Sequence, residues 1–142
     1  MIQRDYILRM IEEIGRFLAK ISGLRDDHLN EKGLNEFFEF MEGHFGLKAE
    51  DIHPDNLAAV EEKLRSSFDN FPDELGQLCL SGAEMAEIVD QRTRAQTLYM
   101  LAWEAYQSAE NEAQTFRFDR IVEMNTVRDR LALMGINVGE NE

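Results

Sequence analysis

Apolar residues along this chain recur at intervals of three and four, the spacing that places side chains on one face of an α-helix. No stretch combines strand-like alternation of apolar and polar residues with hairpin turn signals at its ends. The pattern therefore predicts an all-α fold, a compact array of about six helices. The predicted helices cover residues 3–22, 31–42, 54–69, 73–80, 83–109 and 112–134.

Glycine and proline mark the predicted helix ends. Gly23 indicates the end of the first helix, and Gly82 separates the fourth helix from the fifth. Pro54 and Pro72 suit the first turns of the helices that they begin. The last helix closes near Met134, and we expect residues 135–142 to form a frayed tail. No linker divides the chain, so residues 1–142 are predicted to form a single helical domain.

The first helix has more apolar surface than one neighbouring helix covers. On a helical wheel of about 100° per residue, its apolar side chains from Tyr6 to Leu24 span about 200°. One neighbour covers an arc of only about 100° or a little more. The helix therefore needs two packing partners, both within the chain or one of them in a homodimer. The expected buried line contains Ile7, Ile11, Ile14 and Leu18.

The C-terminal third of the chain predicts an antiparallel α-hairpin. Residues 98–106, LYMLAWEAY, are apolar nearly all round, which is typical of a central helix. The following helix has one broad apolar face, which begins at Phe118, and the connection around residues 110–112 is short and polar. A short connection favours two antiparallel helices that pack against each other.

Two groups of residues carry a resemblance to known proteins. Leu98, Leu101 and Ala102, followed by Phe118, are similar to one helix pair of a tetratricopeptide (TPR) repeat. The opening DYILRMIEEIGRFLAKISG, with HFGL and HPDNLAAVEEKL further on, resembles a family of small bacterial proteins. The resemblance implies an all-helical protein with TPR-like helices at its C-terminus. It implies no activity, so it assigns no catalytic residue.

The charge of the chain is concentrated in its middle. The net charge is −13, and residues 26–91 alone carry seventeen acidic and four basic side chains. This balance argues against direct binding of nucleic acid or of anionic membranes. It favours a basic partner protein, or mimicry of nucleic acid, although an acidic face also serves solubility alone.

The N-terminus and the single cysteine bear on the compartment. Charges interrupt the first nine residues, where a signal peptide would need an apolar stretch. Cys79 is the only cysteine, so no disulfide can form within the chain, and we expect a reduced, cytoplasmic environment. No stretch is long and apolar enough to predict a membrane span.

The sequence contains no recognisable catalytic or cofactor motif. Of the three histidines, His28, His44 and His53, only His53 follows a glutamate, Glu50, at the Glu-x-x-His spacing of carboxylate metal sites. Pro54 places this pair at a junction between loop and helix, which argues against a metal site. Cys79 lies in an apolar segment and is expected to be buried and inert. We therefore expect no catalytic residue, metal or cofactor.

The remaining candidates are surfaces for a partner. Three carboxylates and one aromatic residue share the second predicted helix, and two further aromatic residues lie in the fifth: Glu36, Glu39, Glu42 and Phe40, then Trp103 and Tyr106. For all three aromatic residues, burial in the core is the favoured interpretation, and an exposed surface for a partner is the alternative. The leading functional hypothesis is a non-catalytic helical interaction or scaffold module. An acidic inhibitor or nucleic-acid mimic comes second, and an enzyme with a pocket not visible in the sequence comes third.

Overall fold

The fold is all-α, as the hydrophobic pattern predicts. A computed structural model describes residues 4–112 and 117–139, and every regular element in those ranges is helical. The six α-helices are α1 (Arg4–Asp26), α2 (Asn30–Phe45), α3 (Leu57–Asn70), α4 (Pro72–Ile88), α5 (Arg92–Glu112) and α6 (Phe118–Leu133). Two single-turn 3₁₀ helices, Ala49–Asp51 and Pro54–Asn56, connect α2 to α3. Within the described ranges, no helix has the apolar length needed to cross a lipid bilayer.

Helix α4 lies at the centre of the array. Its most extensive contact is with α5, and α1 and α2 pack against it as well. Helices α3 and α6 pack against α5, so that α4 and α5 lie between the other helices. Side chains of α4 are therefore buried on several sides, among them Leu75, Leu78, Cys79, Ala83 and Met85.

The predicted break at Gly82 is wrong, because α4 continues through this glycine to Ile88. A Cβ atom at Gly82 would lie 2.4 Å from Cζ of Phe37 on α2. Similarly, a Cβ atom at Gly76 would lie 2.6 Å from Cε1 of Tyr106 on α5. Neither distance is sterically possible, so these two glycines let aromatic rings of the neighbouring helices rest directly on the backbone of α4.

Two helices end at non-glycine residues in the left-handed conformation, His28 and Asp90. Helix α1 passes Gly23 and ends before His28, which has the left-handed φ of 63°. Helix α4 ends before Asp90, whose φ is 69°. In each case two backbone N–H groups donate back to carbonyls of the last turn, as at Leu29, which donates to Leu24 at 2.8 Å. This geometry usually selects glycine, which is why the sequence pattern missed both ends.

Helix α1 finds both of its packing partners within the chain, since it contacts α2 and α4. The buried residues of α1 are Met10, Ile14, Phe17 and Ile21. Of the residues predicted to be buried in this helix, only Ile14 is fully buried, and the prediction was wrong for the others. The other three, Ile7, Ile11 and Leu18, are partly buried at the flank of the buried face.

Helices α5 and α6 pack as an antiparallel pair, but the contact between α4 and α5 is more extensive. Helix α6 runs back along α5, with Glu123 against Tyr106. Beyond α6 the chain stays close to the core, because Ile136 and Val138 pack against it and a Cβ atom at Gly139 would touch Trp103. The start of the predicted tail therefore packs in place, whereas residues 140–142 lie outside the described residues. The likeness to a TPR pair stays an expectation.

Substitution of Gly82 by alanine tests the close approach of α2 to α4. We expect Gly82→Ala to lower the free energy of unfolding by about 1–3 kcal/mol, because the added methyl group must displace the ring of Phe37. Gly15→Ala is the matched control, since a Cβ atom there meets nothing within 4 Å. The control should gain up to about 1 kcal/mol from helix propensity. Urea denaturation of both variants measures the difference, and equal effects would refute the packing role of Gly82.

Removal of the Ile14 side chain tests whether α1 belongs to the core. Ile14 is fully buried, so we expect Ile14→Ala to cost about 2–5 kcal/mol. Leu8→Ala on the same helix removes a side chain that is 50% exposed and should cost much less. Thermal or urea unfolding reports both values. A loss below about 0.5 kcal/mol for Ile14→Ala would show that α1 is dispensable for the core.

Candidate binding groove

Three helices end at the same side of the molecule, and ion pairs hold their ends together. Nη2 of Arg25, in the last turn of α1, lies 3.0 Å from Oε1 of Glu84 on α4. Near the end of α6, Arg130 donates hydrogen bonds to both carboxylate oxygens of Glu87 on α4. The ends of α1, α4 and α6 therefore converge.

A groove with Ile88 at its centre lies between these helix ends. It consists of two adjoining depressions with volumes of about 450 and 380 Å³, and Arg25 and Ile88 line both. Leu18, Asp26, Asn30 and Ser81 help to form the larger depression, whereas Glu84, Glu87, Tyr99 and Arg130 form the smaller one. We call this surface the Ile88 groove.

Ile88 is a largely exposed aliphatic side chain, as is Leu133 on α6, which is 73% exposed. Ile88 is the last residue of α4, and 61% of its surface is accessible to solvent. The groove therefore has one exposed apolar side chain at its centre and charged side chains around it.

The charged rim of the smaller depression is fixed by a three-residue cluster. The hydroxyl of Tyr99 donates to Oε1 of Glu87 at 2.7 Å, and Nε of Arg130 donates to the same oxygen at 3.2 Å. Burial alone would raise the pKa of Glu87, but the hydrogen bonds from Arg130 and Tyr99 outweigh it and hold the pKa below the ordinary value. Glu87 is therefore ionised at neutral pH.

A second Tyr–Glu pair lies outside the groove, and its tyrosine is seven residues further along α5. The hydroxyl of Tyr106 donates to Oε1 of Glu123 at 2.6 Å. Burial raises the pKa of Glu123 despite this hydrogen bond, and the nearby carboxylates of Asp119 and Asp73 raise it further. Burial acts in the same direction on both glutamates, but their net pKa shifts are opposite, because only Glu87 accepts hydrogen bonds from an arginine.

The second pair adjoins an ion cluster that anchors the start of α6. Nε and Nη2 of the buried Arg120 donate to Asp73 on α4 at 2.8 and 2.7 Å. Nη1 of Arg120 donates to Glu110 at 3.1 Å, and Arg117 also binds Asp73, at 3.0 Å. Since every charge in this cluster has an opposite partner, its role is to hold α6 in place over α5 and α4.

The predicted acidic site on α2 is only partly available to a partner. Glu36 forms an ion pair with Lys20 on α1 at 3.0 Å, whereas Glu39 and Glu42 are exposed. Phe40 is partly buried, and its ring stacks on that of Phe17 with 4.4 Å between centroids. Phe40 therefore closes the edge of the core between α1 and α2, and it offers a partner only its outer side.

Trp103 and Tyr106 are core residues, which was the favoured interpretation of their sequence pattern. Trp103 is 8% exposed and Tyr106 is fully buried. The surface role considered for these two aromatic residues is therefore wrong. The ring of Tyr106 lies against Gly76, and its hydroxyl is held by Glu123.

The acidic middle of the chain is less acidic in three dimensions than along the sequence. Four of its carboxylates form ion pairs with basic side chains from outside residues 26–91: Glu36, Asp73, Glu84 and Glu87. The basic partners come from both ends of the chain. The local net charge of the sequence therefore overstates the charge that a partner would meet.

The histidines and the cysteine do not converge on one site. His28 lines the Ile88 groove, and Nε2 of His44 lies 3.4 Å from Glu13. Nδ1 of His53 accepts a hydrogen bond from the N–H of Asp55 at 3.1 Å, which caps a 3₁₀ helix. Burial raises the pKa of Cys79 to about 12, so this thiol is not a nucleophile at neutral pH. Within residues 4–112 and 117–139, no three His, Cys, Asp or Glu side chains are placed to share a metal ion.

The sequence pattern does not predict the groove residues. Arg25, Glu84 and Arg130 are far apart in the sequence, and nothing in their spacing predicts that they meet. Ile88 was assigned to the interior of a predicted helix, 83–109, so its position at a helix end was not visible. The one available signal was the presence of arginines near helix C-termini, where the helix dipole favours cations.

Comparison with protein-family models, curated proteins and solved structures found no match for the chain. The arguments about function therefore depend on the site itself.

The opposite pKa shifts of Glu87 and Glu123 predict opposite pH profiles. The lowered pKa of Glu87 stabilises the fold above the unfolded pKa of about 4.5, and this contribution is lost as the pH falls through the folded pKa. The raised pKa of Glu123 favours the fold below about pH 4.5, and this contribution is lost as the pH rises through the folded pKa.

Glutamine variants measure the two profiles. At pH 7 we expect Glu87→Gln to destabilise the protein, because Arg130 loses its charged acceptor, and the loss should shrink as the pH falls below about 4.5. Glu123→Gln should gain stability relative to the wild type as the pH rises from 4 to 7. Urea unfolding at several pH values reports both slopes, and parallel profiles would contradict the assignment.

Proposed function

We propose that the protein is a non-catalytic helical interaction module that binds another protein through the Ile88 groove. The observation that carries the proposal is the 61% exposure of Ile88 at the junction of two depressions. Burial of such a side chain by a partner contributes favourable free energy, roughly in proportion to the apolar area removed from water.

The rim of the groove supports the same proposal. Arg25 is held by Glu84 and Arg130 by Glu87, so these long side chains are already ordered before a partner arrives. Ordering of side chains is one of the costs of association, and a preorganised rim reduces it. A partner therefore meets a fixed pattern of charge around an apolar centre.

The partner is expected to be a protein with an apolar anchor next to basic residues. Helix C-termini carry partial negative charge, and those of α1, α4 and α6 meet at the groove, whereas only one N-terminus of the described helices, that of α2 at Asn30, lines it. Asp26, Glu84 and Glu87 add carboxylates, while the two arginines of the rim are already engaged with two of them. The three carboxylates exceed the two arginines by one, so a basic segment matches this potential better than an acidic one.

The acidic-inhibitor hypothesis is the second candidate, and it uses a different surface. Glu39 and Glu42 are exposed on α2. Binding there would depend on carboxylates alone. It would therefore weaken strongly with salt and would not need Ile88.

Site-specific photo-cross-linking in the native host tests which surface binds. A photoreactive amino acid at position 88 should capture a partner, because Ile88 lies at the centre of the proposed interface. Position 118 is the matched control: Phe118 is 70% exposed but begins α6, at the end away from the groove. Position 42 reports the acidic face of α2. Capture from position 42 and not from position 88 would support the acidic inhibitor instead.

Affinity measurements with the captured partner give the size of the effect. We expect Ile88→Ser to weaken binding at least tenfold, as loss of a central apolar anchor usually does. Phe118→Ser should leave the affinity unchanged. Unchanged binding by Ile88→Ser would overturn the proposal, and urea unfolding of both variants controls for loss of fold.

A further inference from the structure

We infer that the Ile88 groove is a pH-sensitive binding site, in which protonation of His28 weakens the binding of a basic partner. The inference rests on the proposed function and adds a form of regulation to the same surface. It starts from the position of His28, which lines the larger depression between the end of α1 and the start of α2.

The backbone fixes the position of His28 beside the groove. Its N–H donates to the carbonyl of Arg25 at 2.9 Å, and the next N–H, that of Leu29, donates to the carbonyl of Leu24 at 2.8 Å. With a φ of 63°, His28 turns the chain from α1 toward α2. The residue is also exposed, so its imidazole exchanges protons freely with the solvent.

The charges around the groove are so nearly balanced that one proton removes the imbalance. Three carboxylates and two arginines line the two depressions: Asp26, Glu84, Glu87, Arg25 and Arg130. Asp27 precedes His28 in the chain but lines neither depression. The lining therefore has one excess negative charge while His28 is neutral, and protonation of His28 cancels it.

Among the described residues that line the groove, His28 alone is of a type that ordinarily changes charge between pH 5 and 8. Aspartate, glutamate, tyrosine and arginine ordinarily titrate outside this range. Local effects widen the margin for two of the lining residues. Although burial opposes it, hydrogen bonds from Arg130 and Tyr99 hold the pKa of Glu87 below its ordinary value, and burial raises the pKa of Tyr99.

The direction of the effect follows from the charge that protonation adds. An imidazolium at position 28 repels a cation in the groove, so the affinity for a basic ligand is full while His28 is neutral. The affinity falls as the pH drops through the titration of His28. One added charge at roughly 4–8 Å in surroundings like water changes affinity about two- to fivefold. An uncharged ligand should not respond.

Two probes of the same shape test the inference without the partner. 3-Methylbutylguanidinium combines a branched apolar group with a permanent positive charge, and 3-methylbutylurea is its uncharged counterpart. In ¹H–¹⁵N NMR titrations of the full chain, the amides of Ser81 and Ile88 report binding. We expect the dissociation constant of the guanidinium probe to rise about two- to fivefold from pH 7.5 to pH 5.5. The urea probe should bind equally at both pH values.

The chain offers a matched pair of histidine variants. His28→Asn should abolish the pH dependence, because the amide stays uncharged and asparagine tolerates the left-handed conformation of this position. His53→Asn is the control, since His53 lines a different depression. Its ring accepts a hydrogen bond from the N–H of Asp55, which asparagine can also accept. The control should keep the pH dependence of the wild type, and urea unfolding at both pH values verifies that each variant is folded.

The outcomes separate this inference from the proposed function. Equal affinity of the guanidinium probe at both pH values, an equal pH effect on the urea probe, a pH dependence that survives His28→Asn, or no saturable binding would overturn the pH sensitivity. A partner that cross-links at position 88 and binds equally at both pH values would overturn it as well, and would leave the interaction module in place. The expected probe behaviour without any partner at position 88 would support the role of His28 and contradict the proposed function.

Discussion

The fold depends on how closely α2 and α5 approach the backbone of α4. Phe37 rests on Gly82 and Tyr106 rests on Gly76, at distances that no side chain on α4 would permit. These contacts set the positions of two neighbours on a single central helix. The remaining helices then pack on this unit: α1 against α2 and α4, and α3 and α6 against α5. Larger residues at either glycine would push the helices apart and open the core.

Hydrophobic periodicity was sufficient to predict the fold class and the approximate position of most helices. It was not sufficient for the boundary between α4 and α5. A glycine within a helix is usually interpreted as a stop, and only the structure shows that Gly82 faces an aromatic ring of another helix. Conversely, His28 and Asp90 adopt a conformation that glycine would normally provide, and nothing in the sequence marks them. Both errors arise because tertiary packing outweighs local preference.

The candidate site was less predictable than the fold, for a physical reason. Its charged rim is made by ion pairs between residues 43 to 59 positions apart, such as Arg25 with Glu84 and Arg130 with Glu87. Pattern analysis detects residues that share one helix, as Glu36, Glu39 and Glu42 do, and it therefore favoured the α2 surface. It cannot detect a surface that exists only where the ends of separate helices meet.

The convergence of three helix ends also links recognition to the integrity of the whole chain. Arg25, Glu84 and Arg130 come from the beginning, the middle and the last third of the sequence, so the groove is present only when all three helices are in place. A ligand that binds there binds the native state and not the unfolded chain, and it must raise the melting temperature as its concentration rises. A library of compounds or peptides can therefore be screened against the groove by thermal shift.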